Sequence, residues 1–196
     1  MKVGLVIGRF QPLHNGHVAL IQKAMDDNDV VLVLVGSQNK LTDYRNPFDI
    51  ETRLELLKEH FAQYDKMYFK GMDDYPNNEQ WVEDVISRVN TINDDPTDTT
   101  LYTSDKDEEF YRMNFLYSLE VSPSKGLHAT DIRASVYDGK STLYVNLPSE
   151  VVDYVEQWKT TIEYNRLYNE FYLCTESKRA ATEAHAWWNP IEPVCH

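Results

Sequence analysis

The sequence predicts an α/β protein with a Rossmann-like, doubly wound parallel sheet and a C-terminal helical extension. Short apolar runs alternate along the chain with segments whose apolar residues recur at helical spacing. One run, Val30–Val35, contains only valine and leucine, as expected of a strand buried on both faces. The composition, with 42% hydrophobic residues over 196 positions, is sufficient for one well-formed domain with a small appendage.

The expected elements follow in chain order. Strands are predicted at Val3–Ile7, Val30–Val35, Lys66–Phe69, Thr100–Thr103 and Tyr117–Val121. Three helices between the strands are predicted from apolar faces that contain Val18 and Ile21, Leu54 and Leu57, and Val85 and Val89. The polar segment Asn93–Asp98 predicts a turn before the fourth strand.

The C-terminal region predicts two more helices, at Leu147–Val155 and Ile162–Lys178. The last stretch, Ala184–His196, has no helical period, and it is interpreted as a disordered tail or, through Trp187 and Trp188, as the contact of a homo-oligomer. The predicted organisation is therefore a domain over residues 1–158 and a helical extension with a tail over residues 159–196.

Charge and composition exclude several functions. The net charge of −13 argues against nucleic-acid binding, so any nucleotide must be held by local donors, for which Arg9, Arg45, Arg53 and Arg133 are candidates. No apolar run is long enough to cross a membrane and no signal segment is evident, which predicts a cytoplasmic protein with no membrane partner. Two cysteines without zinc spacing predict neither a disulfide framework nor a structural metal.

The segment Gly8–His17, with the sequence GRFQPLHNGH, follows the first strand and opens the first helix. A strand that leads through a glycine turn into a helix presents backbone N–H groups and the positive end of the helix dipole to an anion. His14 and His17 lie near one face of the first turn, and Gly16 between them allows a ligand to approach the backbone. The segment predicts a nucleotide-phosphate site, although both histidines also suit a capping or surface role.

Three further segments carry candidate residues. Residues 36–53 indicate a loop that enters a helix capped by Asp49, with Arg45 either a phosphate ligand or a solvated loop residue. Asn77 is the expected cap of the next helix. This cap places Asn78 and Trp81 in the first turn, where the indole either stacks on a flat ring or packs in the core. Thr130 is the expected cap of a short helix ending near Gly139, with Arg133 close to its free N–H groups, an arrangement suited to phosphate.

The Gly8–His17 segment resembles the G-R-F-x-P-x-H-x-G-H motif of the nucleotidyltransferase superfamily, which includes the cytidylyltransferases and the adenylyltransferases of cofactor synthesis. Within it, the N-x-x-W-V spacing of Asn78 and Trp81, the R-N-P-F segment at Arg45 and the A-T-D-I-R segment at Arg133 are similar to nicotinamide-nucleotide adenylyltransferases. The similarity is to the archaeal type and to the N-terminal domain of bifunctional enzymes that also carry a Nudix domain. It extends from Lys2 to about Trp158.

The resemblance implies an enzyme that transfers the adenylyl group of ATP to nicotinamide mononucleotide (NMN), giving NAD and pyrophosphate. It implies catalytic roles for His14, His17 and Arg133, and NMN binding by Arg45, Asn78 and Trp81. The ATP-binding residues that it implies are Gly8, Arg9, Phe10, Gln11, Gly16 and Thr130. Mg²⁺ is the expected cofactor, held by the ATP phosphates and water and not by a carboxylate cage.

Two alternatives remain open from the sequence. The first is adenylyl or cytidylyl transfer to another phosphate acceptor such as phosphopantetheine, and the second is a non-catalytic nucleotide sensor. The acidic Nudix motif is absent from these residues, so no pyrophosphatase activity is predicted for them.

Overall fold

The computed structural model describes residues 1–104, 107–122, 128–140, 142 and 144–187. Within these ranges, the strands are β1 (Val3–Gly8), β2 (Val30–Val35), β3 (Met67–Gly71), β4 (Thr99–Ser104) and β5 (Ser118–Ser122). All five predicted strands are confirmed, and each boundary lies within two residues of its expected position.

The sheet is parallel throughout, with the strand order β3-β2-β1-β4-β5. The chain moves outward from β1 to β3 and then returns to place β4 on the other side of β1. Open α/β sheets bind ligands outside the carboxyl ends of the strands at such a switch point. The turn after β1, which carries the predicted phosphate motif, therefore lies where this fold binds ligands.

The helices cover both faces of the sheet, as the doubly wound prediction requires. They are α1 (Asn15–Asp27), α2 (Ile50–His60), α3 (Asn78–Asn90), α4 (Glu108–Asn114), α5 (Ala129–Tyr137), α6 (Ser149–Trp158) and α7 (Ile162–Trp187). On one face, α1, α2 and α5 to α7 pack around Val31 and Val33 of β2. On the other face, α3 and α4 pack around Leu32 and Leu34. This alternation explains why the β2 sequence is apolar at every position.

Two of the three predicted caps are confirmed. Asp49 accepts a hydrogen bond from the N–H of Thr52 at 2.8 Å, and Asn77 accepts one from the N–H of Gln80 at 2.9 Å. The predicted cap at Thr130 is wrong, because α5 begins one residue earlier, at Ala129, and His128 occupies the cap position. Thr130 instead lies in the first turn, where its hydroxyl accepts a hydrogen bond from Arg133.

Two helices differ from the sequence prediction. Helix α4 was not predicted, because its seven residues are too few to establish a period. Helix α7 extends past Lys178 to Trp187, so the expectation of no helix from Ala184 onward is wrong for residues 184–187. The sequence of this end is rich in alanine, the strongest helix former, so intrinsic propensity favours a helix there without an apolar period. Residues 188–196, with Trp188 and Cys195, lie outside the described part of the chain.

None of the helices in the described ranges is both long and apolar enough to cross a bilayer.

Candidate active site

The turn after β1 depends on a close approach between Gly8 and Phe10. A Cβ atom at Gly8 would lie 3.0 Å from Cζ of Phe10, closer than side chains normally approach. Phe10 has a φ of 51°, in the left-handed region, and its ring is 2% exposed. Gly8 therefore allows the turn to bury the Phe10 ring against it.

His14 and His17 lie together at the start of α1. The Nδ1 atom of His14 caps the helix by accepting a hydrogen bond from the backbone N–H of His17 at 3.3 Å. The two rings stack with centroids 3.6 Å apart, and the Phe10 ring contacts His17 edge-on at 4.8 Å. The capping role considered from the sequence is thus real for His14. It does not exclude a phosphate contact, because His17 lines an open cleft.

Burial holds both histidines neutral at physiological pH. It lowers the pKa of His14 from 6.5 to about 4, with a smaller contribution from the nearby His128. Burial, followed by the neighbouring His14, places the pKa of His17 well below 6.5. The Nδ1 atom of His17 is buried and has no hydrogen-bond partner among the described residues. Its Nε2 atom is then the natural N–H donor toward a phosphate in the cleft.

The lowered pKa of His14 predicts a loss of stability in acid. Between pH 6.5 and 4 the unfolded chain binds a proton that the folded protein does not, so the free energy of unfolding falls as the pH falls. From pH 7 to pH 4 the wild type is expected to lose about 3 kcal/mol more than His14→Asn, which keeps a good N-cap. Urea denaturation followed by circular dichroism at each pH measures the difference; parallel pH profiles for the two proteins would contradict the prediction.

Gln11 joins the turn after β1 to the loop before α2. Its amide nitrogen donates to the carbonyl of Phe48 at 2.6 Å, and its amide oxygen accepts from the N–H of Phe48 at 3.0 Å. The side chain is 3% exposed, and the backbone carbonyl accepts from Arg133 at 2.6 Å. The Gln11 side chain is thus occupied by its hydrogen bonds to Phe48. The predicted contact with ATP would have to be made by the Gln11 backbone.

Arg53 is the buried support beneath both loops. Its guanidinium donates hydrogen bonds to the carbonyls of Arg9 at 2.9 Å, Gly36 at 2.6 Å and Ser37 at 3.2 Å, and to that of Asp49 at 3.1 Å. Burial lowers its pKa to about 10, so it is still charged at neutral pH. From the sequence, Arg53 was a candidate hydrogen-bond donor to phosphate. In the structure its guanidinium instead donates to backbone carbonyls just after β1 and β2.

Arg133 reaches from α5 across to the turn after β1. Its Nη1 atom donates to the Gln11 carbonyl at 2.6 Å, and its Nη2 atom donates to the Thr130 hydroxyl at 3.2 Å. Together with His17, these residues line an open cleft of about 450 Å³, here called the histidine cleft. It lies between the N-termini of α1 and α5, and Arg9, Phe10, Gln11, His128 and Asp131 also line it.

A second cleft adjoins the first. The arginine cleft, of about 440 Å³, shares Arg9, Thr130 and Arg133 with the histidine cleft and adds Arg45 from the loop before α2. The Nε atom of Arg45 donates to the Tyr44 hydroxyl at 2.8 Å, and Arg9 donates to the side chain of Asn46 at 3.3 Å. The two clefts adjoin at their shared residues and are together called the groove, whose cationic lining suits a chain of phosphates.

Asn78 and Trp81 lie apart from this groove, at the start of α3. They follow β3, two strands from β1 and about 10 Å away at ordinary strand spacing. Trp81 is half-buried and contacts the rings of Phe110, Tyr111 and Phe115, which α4 and its end supply. Trp81 therefore packs on the core, as one of the two interpretations of the sequence held. Part of its surface is exposed, and stacking on a flat ring stays a prediction.

The described part of the chain contains no cluster of three or more histidine, cysteine, aspartate or glutamate side chains that could hold a metal ion.

The sequence missed the residues that α7 contributes to the arginine cleft, among them Phe171, Cys174 and Lys178. They belong to no recognisable motif, and only the docking of α7 brings them to the site. Their spacing along one helix face is the sole signal that the sequence contains.

The fold and the groove together define a nucleotide-binding α/β protein, in which two helix N-termini, a histidine pair and arginines meet at the switch point of a parallel sheet. The chain belongs to the cytidylyltransferase-like family, whose model matches residues 5–135.

Relatives and solved structures of similar proteins extend this assignment. The chain is 28% identical over 172 residues to a nicotinamide/nicotinic acid mononucleotide adenylyltransferase of Acinetobacter baylyi, covering 84% of this chain and 90% of the relative. It is 29% identical over 156 residues to a nicotinamide-nucleotide adenylyltransferase of Methanococcus maripaludis, covering 78% of this chain and 87% of the relative.

The fold matches a bifunctional NMN adenylyltransferase/ADP-ribose pyrophosphatase of Francisella tularensis. The TM-score is 0.85 at 21% identity, over 98% of this chain and 58% of that one. A second structure of that enzyme, with AMP and a manganese ion, gives a TM-score of 0.83 at 20% identity over 93% of this chain and 56% of the other. The present chain thus spans little more than half the length of the bifunctional protein.

Proposed function

We propose that this protein transfers the adenylyl group of ATP to NMN, producing NAD and pyrophosphate. The observation that carries the proposal is the groove at the switch point, where His17, Arg9 and Arg133 line one cleft beside the N-termini of α1 and α5. The names of the relatives from Acinetobacter baylyi and Methanococcus maripaludis support the choice of reaction.

The chemistry requires no covalent enzyme intermediate. The phosphate of NMN attacks the α-phosphorus of ATP in line, the bond from that phosphorus to the bridging oxygen breaks, and pyrophosphate leaves. Such a transfer depends on positioning and on stabilising the charge of the phosphoryl oxygens. Neutral His14 and His17 are suited to donate hydrogen bonds near the α- and β-phosphates, and Arg133 and Arg9 to neutralise the outer ones.

Mg²⁺ is proposed to enter with ATP, bound by its phosphates and by water. The donor set in the described part of the groove is cationic, apart from Asp131 at the start of α5, so it fits a metal carried by the nucleotide better than a metal bound by the protein. A cytoplasmic location and a homo-oligomer are further predictions that accompany this function.

The acceptor is proposed to extend from the groove toward the start of α3. The exposed part of Trp81 offers a flat ring to the nicotinamide, whose positive charge adds a cation–π attraction, and exposed Asn78 lies one turn away. Arg45 lines the arginine cleft, and we propose that it binds the NMN phosphate there. Phosphopantetheine, which has no flat cationic ring, gains nothing from Trp81, and this difference favours NMN.

A product assay tests the proposal. The protein is incubated with ATP and Mg²⁺ and with NMN, nicotinate mononucleotide or phosphopantetheine, and the products are separated by chromatography. NAD and pyrophosphate are expected with NMN. Absence of a dinucleotide with both mononucleotides would overturn the proposal, and product from phosphopantetheine alone would replace it with the alternative acceptor.

Trp81→Phe is expected to raise the KM for NMN about tenfold and to leave the KM for ATP within about twofold of the wild type, since the smaller ring loses stacking area on the acceptor alone. Phenylalanine keeps the aromatic contacts with Phe110 and Tyr111, so the fold is retained. Phe110→Leu, which alters the same cluster from the side of α4 and leaves the indole in place, serves as the control. Equal changes in both KM values would contradict the stacking role.

A further inference from the structure

Helix α7 forms one wall of the arginine cleft, although it lies beyond residues 5–135, which match the family model. Four of its residues line the cleft: Phe171, Cys174, Thr175 and Lys178. Their spacing of i, i+3, i+4 and i+7 places them in one stripe along the helix. Two turns of α7, and not a single side chain, therefore line the arginine cleft.

The first half of α7 is fixed to the loop that carries Arg45. Glu163 accepts a hydrogen bond from the Thr42 hydroxyl at 2.7 Å, and Arg166 donates to the Thr42 carbonyl at 3.0 Å. Arg166 also pairs with Glu163 at 2.6 Å, and this pairing lowers the pKa of the carboxyl group to about 2. Leu167 is fully buried in the core beneath the helix.

Aromatic packing fixes the position of these four α7 residues relative to the cleft. The Phe171 ring stacks on Tyr137 of α5, with centroids 4.8 Å apart and an angle of 22°, and it lies 6.0 Å from Tyr44. Tyr44 in turn accepts the hydrogen bond from Arg45. Phe171 thus joins α5, the Arg45 loop and α7. Lys178 lies two turns further along the same stripe, at the far end of the cleft from the core.

The charges around this cleft are unbalanced. Arg9, Arg45, Arg133 and Lys178 bring four cations to it in a protein whose net charge is −13. Nearby Asp43 is engaged by the backbone N–H groups of Arg45 and Asn46, and Glu170 lies 3.9 Å from Arg166. The Lys178 ammonium forms no ion pair or hydrogen bond with the residues that the structure describes. Asp43 attracts both Arg45 and Arg133, yet within the described part of the chain the four cations outnumber the carboxylates close to the cleft, and this excess favours a polyanion.

We propose that Lys178 of α7, together with Arg9 and Arg133, binds the terminal phosphates of ATP and the pyrophosphate released from them, at the outer end of the groove. The histidine cleft and the arginine cleft share Arg9, Thr130 and Arg133. A triphosphate whose α-phosphate lies beside His17 can therefore continue past Arg133 to Lys178. The assignment to ATP rests on the proposed function, whereas the polyphosphate site rests on the cleft alone.

Lys178→Ala and its neighbour Arg179→Ala form a matched pair for the test. Arg179 has the same charge and helix, but it lies 3.5 Å from Glu176 and does not line the cleft. Lys178→Ala is expected to raise the KM for ATP about five- to tenfold, with the KM for NMN and kcat within about twofold of the wild type. Arg179→Ala is expected to leave all three unchanged, and Lys178→Arg to restore much of the affinity for ATP.

Calorimetric titration with inorganic pyrophosphate separates this inference from the proposed function. A Kd about five- to tenfold weaker in Lys178→Ala than in Arg179→Ala supports the site, even for a protein that forms no NAD. Equal Kd values for the two variants, or no binding of pyrophosphate by the wild type, would overturn it. Circular dichroism of both variants verifies that α7 is still folded.

Discussion

His17→Ala is expected to lower kcat for NAD formation by about 10²- to 10³-fold, the usual cost of removing one preorganised donor to a developing oxyanion. The His17 ring is held on both sides, by stacking on His14 at 3.6 Å and by the edge of Phe10 at 4.8 Å, so its donor is fixed before the substrate binds. Alanine removes the donor and offers no replacement, and water in the space would not be held in position.

Steady-state kinetics with ATP and NMN measure this effect, and urea denaturation establishes that the fold persists. The free energy of unfolding should change by no more than about 1 kcal/mol, because the lost packing is partly offset by removal of the unsatisfied Nδ1 atom. His60→Ala is the control, since His60 pairs with Glu150 between α2 and α6, away from the groove. A decrease in kcat below tenfold for His17→Ala would refute a direct role in the transfer.

Arg133→Ala is expected to lower kcat/KM for ATP by about 10²-fold or more, because two effects act together. The variant removes a charge from the phosphate groove, and it removes the hydrogen bond that holds the Gln11 carbonyl at 2.6 Å. Arg133→Lys keeps the charge. The guanidinium donates to both Gln11 and Thr130 and has N–H groups left for a phosphate, a fixed planar arrangement that an ammonium does not reproduce. Lysine is therefore expected to recover only about tenfold of the loss.

The kinetic constants of both Arg133 variants, compared with Arg112→Ala, test this prediction. Arg112 is an exposed arginine of α4 whose partner is Glu108, and its loss should leave kcat/KM unchanged. Arg133→Lys with the activity of the wild type would show that charge alone is needed. Arg133→Ala with the same activity would remove Arg133 from the site.

The fold was largely predictable because its signals are local. The strand β2 is apolar at every position, and Asp49 and Asn77 cap α2 and α3 as their types favour. The strand, turn and helix start that are proposed to bind phosphate were also predictable, since one contiguous segment supplies Gly8, the turn, His14 and His17. Helix α4 and the end of α7 escaped prediction, because one is very short and the other is an alanine-rich segment without an apolar period.

The sequence by itself determined the five strands, the helices other than α4, the place of the turn that is proposed to bind phosphate and the residue types available there. The tertiary structure decided which side chains face the groove. Arg53 and Arg133 are similar residues on neighbouring segments of the site, yet Arg53 is buried under the carbonyls of Arg9 and Gly36, whereas Arg133 lines both clefts. Lys178 reaches the groove because α7 docks on the rest of the fold, with Phe171 stacked on Tyr137 and Leu167 buried in the core. The reason is physical: periodicity and capping act within a few residues, whereas burial and charge depend on segments that only packing brings together.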